Sequence, residues 1–400
     1  MPQGCEGVLT LAVKMRVSPE PEAYQELLGL IERYRDALNY SIGVIIENKA
    51  LSLSKAHRLL YSTLKERFNL PSRIAQDCYR EALAIAKSWL KNPNKGSIPT
   101  AKTPRVWLTH GYSYRIRDGY VEVLGGLKLK VIGWDRRFDD HPNREARLVF
   151  KGGKFILYIS KHIPKPDKYA PRGVLAVDVN ERLVVAGNSV LEYRFETAVE
   201  RALHYRKLAE RLQKKYSSAR CNAWLRRSGV RERIRYFHRK ARNIVDDWVK
   251  KTSHKITVLA KQGQYAVARE DLTGLIENLR KLPKDHRVAL MILSYRKLEL
   301  WIDWQCEKHG VPVVAVEPRG TSTACPKCNS KMRKNGYRAL KCEKCGLEAD
   351  RDTIAVLNIE RKALARWGGP LIAPTALQMT DVNPNRWGEP VNPLKGEGSL

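Results

Sequence analysis

A chain of 400 residues is long enough for two or three domains, and a hydrophobic fraction of 43% excludes general disorder. Its 73 Lys and Arg against 42 Asp and Glu give a formal net charge of +31, which opposes compaction and predicts a polyanionic partner. An anionic membrane is not supported, because the sequence shows no lipidation signal, no basic amphipathic tail and no apolar run that approaches a membrane span. With no evident targeting segment, we expect a cytoplasmic protein.

Strand and helix patterns alternate in the N-terminal part of the chain. Residues 8–17 switch between apolar and polar side chains and predict a first strand. The spacing then predicts helices at 23–39 and 54–68, and a third helix that begins after Pro71. Further strands are predicted at 121–124, 127–132, 147–150 and 154–159. This order predicts a small antiparallel barrel with a helical insertion between its first and second strands.

From Pro171 onward the pattern becomes α/β. An apolar hairpin is predicted at 173–185, long helices at 199–216 and 230–261, a strand at 265–268, a helix at 288–309 and a strand at 312–316. Residues 201–261 carry 19 Lys or Arg against 4 Asp or Glu. A solvated helical face is the ordinary explanation of a charge run, but this imbalance is too one-sided for salt-bridge lacing and favours the wall of a nucleic-acid channel.

Four of the eight cysteines form two Cys-x-x-Cys pairs, Cys325 with Cys328 and Cys342 with Cys345. Two such pairs bring four thiolates to one tetrahedral centre, which is the geometry of structural zinc. Two disulfides or two redox pairs are the alternatives, and the spacing and the expected compartment favour zinc. Four thiolates fill the coordination sphere, so this zinc is predicted to be structural. The remaining cysteines are interpreted as buried thiols: Cys5, Cys78, Cys221 and Cys306.

Three acids stand at the ends of predicted elements. Asp178 lies within an apolar strand, Glu270 follows the strand at 265–268, and Asp352 falls in the first turn of a helix that Asp350 is placed to cap. Each has a structural explanation when taken alone, such as a strand-end acid, a partner for a buried arginine or a helix cap. Together, in a very basic chain, they are the hard oxygen ligands that hold Mg²⁺ or Mn²⁺ beside a phosphodiester.

The order of these motifs resembles the TnpB family, the accessory nucleases of insertion sequences and relatives of the compact type V CRISPR effectors. The motifs are AVDVNERLVVAG, REDLTG, VAVEPRGTSTACPKCNSKM, LKCEKCGLEADRD and LNIERKAL. The N-terminal segment FNLPSRIAQDCYREALAIAKSWLK is similar to the family's helical recognition segment. The resemblance implies that Asp178, Glu270 and Asp352 are the metal-binding catalytic acids and that the four paired cysteines are the zinc ligands.

The resemblance also implies an α+β multidomain fold. Residues 1–17 and 97–170 would form a wedge-like β-barrel, 18–96 a helical recognition insertion, 171–319 and 349–367 a RuvC-like nuclease of RNase H-like α/β fold, and 320–348 an inserted zinc ribbon. Residues 368–400 are expected to form a flexible tail. The expected partners are a guide RNA transcribed from the transposon end and a target DNA beside a short transposon-adjacent motif. Tyr34, Arg80 and Lys87 are candidates for contacting that motif.

The sequence departs from the family's usual pattern at three positions. Ile354 stands where Asn is usual, Asn180 where Gly is frequent, and Arg269 where an apolar residue is usual. Ile354 is expected to remove a polar group beside the acids. The favoured function is metal-assisted DNA cleavage, and the alternative is an RNA-guided DNA-binding protein that does not cut. A transposase that joins DNA ends itself is disfavoured. Such single-strand transposases need two histidines separated by one hydrophobic residue, and none of the nine histidines here has another two positions away.

Overall fold

The computed structural model describes residues 7–93, 96–124, 126–133, 139–216, 228–271 and 295–367. The chain separates into two compact units, Met1–Pro164 and Lys165–Leu400. The predicted tail at 368–400 and the start of the helix predicted at 288–309 lie outside the described residues.

The first unit is built on a seven-stranded antiparallel sheet whose strand order is β2-β6-β7-β1-β5-β4-β3. The first strand alternates as predicted, with Leu11, Val13, Met15 and Val17 buried between exposed neighbours. The edge strands β2 and β3, which the sequence did not predict, adjoin at an isolated bridge between His110 and Tyr114, so the sheet is nearly a barrel. The strands are β1 Val8–Pro19, β2 Arg105–Thr109, β3 Tyr114–Arg117, β4 Tyr120–Val123, β5 Leu127–Ile132, β6 Asn143–Lys151 and β7 Lys154–Pro164.

Three helices are inserted between β1 and β2: α1 Tyr24–Glu47, α2 Leu53–Glu66 and α3 Ser72–Lys91. The predicted end of α1 near residue 39 was wrong, because Ile42 and Ile45 continue its buried face for two more turns. Ser52 caps α2 by accepting a hydrogen bond from the Lys55 N–H at 3.3 Å.

Two of the three residues suggested for motif contacts lie on the surface of this unit. Arg80 and Lys87 are exposed on α3. Tyr34 is fully buried and donates a hydrogen bond to Glu81 at 3.0 Å. Its phenol is therefore part of the core and is not placed to read a nucleic-acid base.

The second unit is built on a mixed five-stranded sheet in the order β10-β9-β8-β11-β12. The central strand β8 pairs in parallel with β11, which pairs in parallel with β12, whereas β9 and β10 add antiparallel. The strands are β8 Gly173–Val179, β9 Leu183–Gly187, β10 Glu192–Glu196, β11 Tyr265–Glu270 and β12 Val313–Val316. The hairpin prediction included β8 and β9 but not β10, which is short and carries alternating charges.

Among the described residues, four helices surround this sheet: α4 Val199–Tyr216, α5 Ser228–Gln262, α6 Tyr295–His309 and α7 Arg351–Trp367. Leu175 and Val177 pack with α5 and α6 on one face, while Val174 and Ala176 pack against α7 on the other. Because both faces of β8 are covered, its sequence is a continuous apolar run, as expected for a buried parallel strand. Among the described helices, none combines the length and the apolar character that a membrane crossing requires.

A small three-stranded sheet precedes α7. Its strands are β13 Arg333–Lys334, β14 Ala339–Lys341 and β15 Glu348–Asp350, and β14 pairs antiparallel with both neighbours. Strand β15 runs directly into α7, because the helix begins at the next residue, Arg351. The position of the small sheet is therefore tied to the helix that carries Asp352.

The packing of α7 gives a pH-dependent prediction. Glu360 is 7% exposed on α7 and accepts a hydrogen bond from the Ser189 hydroxyl at 3.3 Å. Burial raises the pKa of Glu360 to about 7 from an ordinary value of 4.5. Between these two values the unfolded chain has released the proton while the folded chain still holds it, so the stability of the protein falls as the pH rises through this range.

We expect Glu360→Gln to stabilise the protein at pH 8 by up to about 3 kcal/mol and by much less at pH 5, because the amide keeps an acceptor for Ser189 and cannot ionise. Thermal unfolding of both proteins at the two pH values measures the effect. A variant that melts at or below the wild-type temperature at pH 8 would contradict it.

Candidate active site and metal centre

Two of the predicted acids lie side by side at the end of neighbouring parallel strands. The register pairs Ala176 of β8 with Ala268 of β11, and both alanines pack in the cluster under α7. Because side chains alternate along a strand, Asp178 and Glu270, two residues further along, point to the same face. The sequence places each acid at a strand end, and the sheet places the two strand ends together.

The third acid is brought to this face by α7. Asp352 is 1% exposed in the first helical turn, and its N–H donates to the Asp350 carboxylate at 2.8 Å, so Asp350 caps the helix as predicted. The Asn180 amide donates to Asp178 at 2.7 Å and to Asp352 at 3.0 Å. This bridge shows that the two carboxylates face each other across a single amide group.

The electrostatics of the three acids show that the site is short of positive charge. Burial, followed by repulsion from Asp352 and Glu270, raises the pKa of Asp178 to about 8. Burial also raises the pKa of Glu270 and of Asp352, although Arg338 opposes the shift at Asp352. A bound cation would relieve both the desolvation and the repulsion. Carboxylate oxygens are the ligands that Mg²⁺ and Mn²⁺ accept, so the donor set fits such an ion.

Two polar residues that sequence reasoning did not assign to the site hold the acids in position. Asn180 forms the bridge described above, at a position where the resemblance implied a glycine. Thr321 is buried and its hydroxyl donates to Glu270 at 2.5 Å, while its backbone oxygen accepts from the Asn358 amide at 2.8 Å. Thr321 lies in the Thr-Ser-Thr approach to the first cysteine pair, and that polar run was the available signal in the sequence.

An arginine from the small sheet also reaches the acids. Strand β14 pairs Ala339 with Asp350, so the preceding residue, Arg338, lies beside the start of α7. The Arg338 carbonyl accepts the Arg351 N–H at 2.8 Å, and its guanidinium forms an ion pair with Asp352. No feature of the local sequence distinguishes Arg338 from its basic neighbours, because this contact depends on the strand register.

The structure gives the other two departures from the family pattern local explanations. Arg269 points to the opposite face of β11 from Glu270, where its guanidinium contacts Asp303 at 2.6 and 2.9 Å and Glu299 at 3.3 Å. Ile354 is fully buried in the core of the small sheet, together with Cys325 and Cys342. An asparagine at 354 would bury an amide in that apolar core. In this chain the amide that contacts the acids is that of Asn180.

The four predicted cysteine ligands converge beside the small sheet. Among the described residues they are the one set of three or more ligand-type side chains whose atoms all lie within 4.8 Å of one another. Sγ of Cys325 lies 3.5 Å from that of Cys345, and Sγ of Cys328 lies 3.4 Å from that of Cys342. These separations are far longer than a disulfide bond and close to the roughly 3.8 Å between ligands of tetrahedral zinc. The donor set therefore fits zinc.

A basic groove of about 500 Å³ lies between the end of β10 and helices α4 and α5. Arg201, Lys240 and Lys251 line it, and Trp248 anchors one wall by donating its indole N–H to the Glu196 carbonyl at 2.8 Å. Lys251 is paired with Asp247 at 2.8 Å. Cations around a partly buried aromatic ring are typical of surfaces that bind a nucleic-acid strand.

Comparisons with known proteins show what this chain is similar to. Residues 295–359 match the family model described as the Cas12f1-like TNB domain. The solved structure of a Cas12f1–sgRNA–target DNA complex has a TM-score of 0.61 to this chain at 14% identity, covering 88% of this chain and 99% of that one, so the two share a fold. The CRISPR-associated endodeoxyribonuclease Cas12f1 of Sulfoacidibacillus thermotolerans is 31% identical over 124 residues, which are 30% of this chain and 25% of that protein.

These similarities define an α+β protein with a Cas12f1-like fold and a four-cysteine cluster. TnpB-like protein MJ0751 of Methanocaldococcus jannaschii is 30% identical over 264 residues, which are 60% of this chain and 91% of that protein. The chain belongs to the TnpB family.

The cysteine cluster gives a direct prediction. We expect the purified protein to contain one equivalent of zinc, and Cys342→Ser to lose most of it and to expose the small sheet to proteolysis, because the four thiolates hold its strands together. Elemental analysis and limited proteolysis measure the two effects. Cys306→Ala is the matched control, since this buried cysteine lies in a different hydrophobic cluster from the four ligands and its loss should leave the zinc content unchanged. Full zinc retention by Cys342→Ser would contradict the assignment.

Proposed function

We propose that this protein is an RNA-guided, divalent-metal-dependent DNA endonuclease of a transposable element, which cuts target DNA beside a short transposon-adjacent motif. Asp178, Glu270 and Asp352 would be its metal-binding acids on a RuvC-like domain. The observation that carries the proposal is that these three carboxylates lie at one end of the sheet, Asp178 and Asp352 buried and Glu270 half-buried, with pKa values raised by burial, in a chain of net charge +31.

The chemistry follows from the residues present. Bound Mg²⁺ would lower the pKa of a water molecule and stabilise the leaving oxygen during hydrolysis of the phosphodiester. Asn180 orients Asp178 and Asp352, and Thr321 orients Glu270, so each carboxylate presents its free lone pairs in a fixed direction. Arg338 would contact an oxygen of the phosphate bound at the same site.

The choice of guide RNA and target DNA as partners is supported by charge and by the relatives. The Cas12f1 structure that shares this fold is a complex with sgRNA and target DNA. The groove lined by Arg201, Lys240 and Trp248 offers this chain a basic, partly aromatic surface for a nucleic-acid strand. Guide pairing would then select the sequence, while the protein holds backbone and motif.

The test is guided cleavage. The protein is expressed with its native downstream DNA and purified as a ribonucleoprotein. It is then incubated with Mg²⁺ and a plasmid that carries the matching target behind a randomised flank. We expect linear product enriched in one flank. Asp178→Ala should abolish it, because the remaining acids cannot hold the metal. Glu360→Gln is the control. It alters a buried carboxylate of α7 that is not one of the three acids, so this variant should cut like the wild type.

The outcomes distinguish a guided nuclease from a guided DNA-binding protein that does not cut. Target binding without cleavage by the wild type would identify a guided DNA-binding protein and overturn the nuclease assignment. Absence of co-purified RNA together with absence of target preference would overturn the guided function altogether. Cleavage by Asp178→Ala at the wild-type rate would exclude these acids as the site.

Arg338 gives a second prediction. Its guanidinium is paired with Asp352 in the absence of metal, so it competes with a metal ion for that carboxylate before it can contact a phosphate. We expect Arg338→Ala to lower the cleavage rate by a factor of about 10² to 10³ while Mn²⁺ binds at least as tightly as to the wild type. Arg338→Lys should retain part of the rate. A slow rate that excess Mg²⁺ restores would instead assign Arg338 to metal binding.

A further inference from the structure

A buried ion pair on the edge strand lies on the same sheet face as the acids. The antiparallel register places Arg194 of β10 opposite Val185 of β9, and Val185 opposite Asp178 of β8. Cross-strand partners share a face, so Arg194 projects on the face that α7 covers, in one row with Asp178. Glu192, two residues earlier on β10, projects to the same face.

Glu192 contacts Thr353, the residue after Asp352, and Arg194 lies near Asp350, two residues before Asp352. Arg194 Nε donates to Glu192 Oε1 at 2.7 Å, and Glu192 Oε2 accepts from the Thr353 hydroxyl at 2.8 Å. Arg194 Nη2 lies 3.8 Å from Asp350 Oδ1, the carboxylate oxygen that caps the Asp352 N–H. The edge strand therefore accepts a hydrogen bond from the residue that follows Asp352 and places a positive charge near the residue that caps it.

The local backbone makes room for this pair. Glu192 lies opposite Gly187, and a Cβ built on Gly187 would stand 2.5 Å from the Leu191 carbonyl oxygen and 3.0 Å from the Glu192 Cα. A larger residue at 187 would push β10 away from β9. The glycine permits the close approach that brings the Glu192 carboxylate to α7.

The burial of Glu192 and Arg194 indicates that this ion pair does more than stabilise the fold. Glu192 is 1% exposed and Arg194 6%, and the surrounding sheet face is apolar. Replacing a buried ion pair with apolar residues of similar volume is often neutral or stabilising, so stability alone does not account for these charges. Moreover, Arg194 Nη2 makes no hydrogen bond within the described part of the chain. Its charged group nevertheless lies 3.8 Å from the Asp350 carboxylate, which caps the N–H of Asp352.

We propose that Glu192 and Arg194 are positioning residues that fix the first turn of α7 and so aim the Asp352 carboxylate at the metal. Glu192 acts through the Thr353 hydroxyl, and Arg194 acts through Glu192 and the Asp350 carboxylate. The inference rests on the proposed function in that Asp352 must bind a metal ion. It goes further in that binding of the ion would also depend on two side chains of β10, a strand that contributes none of the three acids.

The test is Mn²⁺ binding to the purified ribonucleoprotein, followed by electron paramagnetic resonance, so that no cleavage is required. The main variant is Glu192→Leu with Arg194→Met, which removes both charges and keeps the volume. We expect it to melt near the wild-type temperature and to bind Mn²⁺ at least tenfold more weakly. Thr353→Val, which removes a single hydroxyl, should weaken binding several-fold. Glu360→Gln, on the same helix, should bind like the wild type.

Each result decides the proposal. Wild-type Mn²⁺ affinity in a folded double variant, or in Thr353→Val, would overturn the positioning role. If the double variant does not fold, Thr353→Val decides alone. If the wild type binds no more Mn²⁺ than Asp178→Ala, the metal site and the proposed nuclease are both overturned. If the wild type binds Mn²⁺ but does not cut, the nuclease assignment fails while the affinities of the variants still decide the positioning role.

Discussion

The three carboxylates at one end of the sheet, two of them buried, repel one another, and the second unit is arranged to offset that repulsion. Asp178 shows the cost most clearly, since burial and its two acidic neighbours raise its pKa to about 8. A site of this kind persists because the surrounding fold fixes the positions of the acids and because a cation can neutralise them. The Asn180 amide and the Arg338 guanidinium supply partial compensation from within the chain.

The sheet positions two of the acids, and α7 positions the third. The sheet fixes Asp178 and Glu270 through backbone pairing, which is rigid because both faces of β8 are packed. Asp352 depends on the orientation of a helix, and that orientation is set by the Asp350 cap, by the apolar contacts of α7 and by the polar contacts of Thr353. The cysteine cluster adds a further anchor, since β15 joins the small sheet to the first residue of α7. The proposed positioning role of β10 extends this division of labour to the edge strand.

Departures from a family pattern acquire meaning from their neighbours in space. Ile354 looks like the loss of a polar group when the sequence is examined alone, yet its side chain completes the core beside Cys325 and Cys342. Asn180 looks like a neutral replacement, yet its amide bridges two of the acids. The Arg269 side chain lies on the opposite face of β11 from the Glu270 carboxylate, and its charge is neutralised by Asp303 and Glu299. Each residue is explained by contacts with chain segments far away in sequence.

The sequence by itself determined the features that depend on local pattern. The four cysteines, the alternation of β1, the bounds of α4, the Asp350 cap and the candidate acids follow from spacing and from element ends, which are properties of neighbouring residues. Tertiary structure alone decided the rest. Strands β2, β3 and β10 were not predicted, because each is short and has a charged residue at one end or both, which obscures the apolar pattern. Tyr34 became a core residue because Glu81 offers it a buried acceptor. The contacts of Asn180, Thr321, Arg338 and Arg194 depend on strand register and helix placement, which arise only when distant segments pack together.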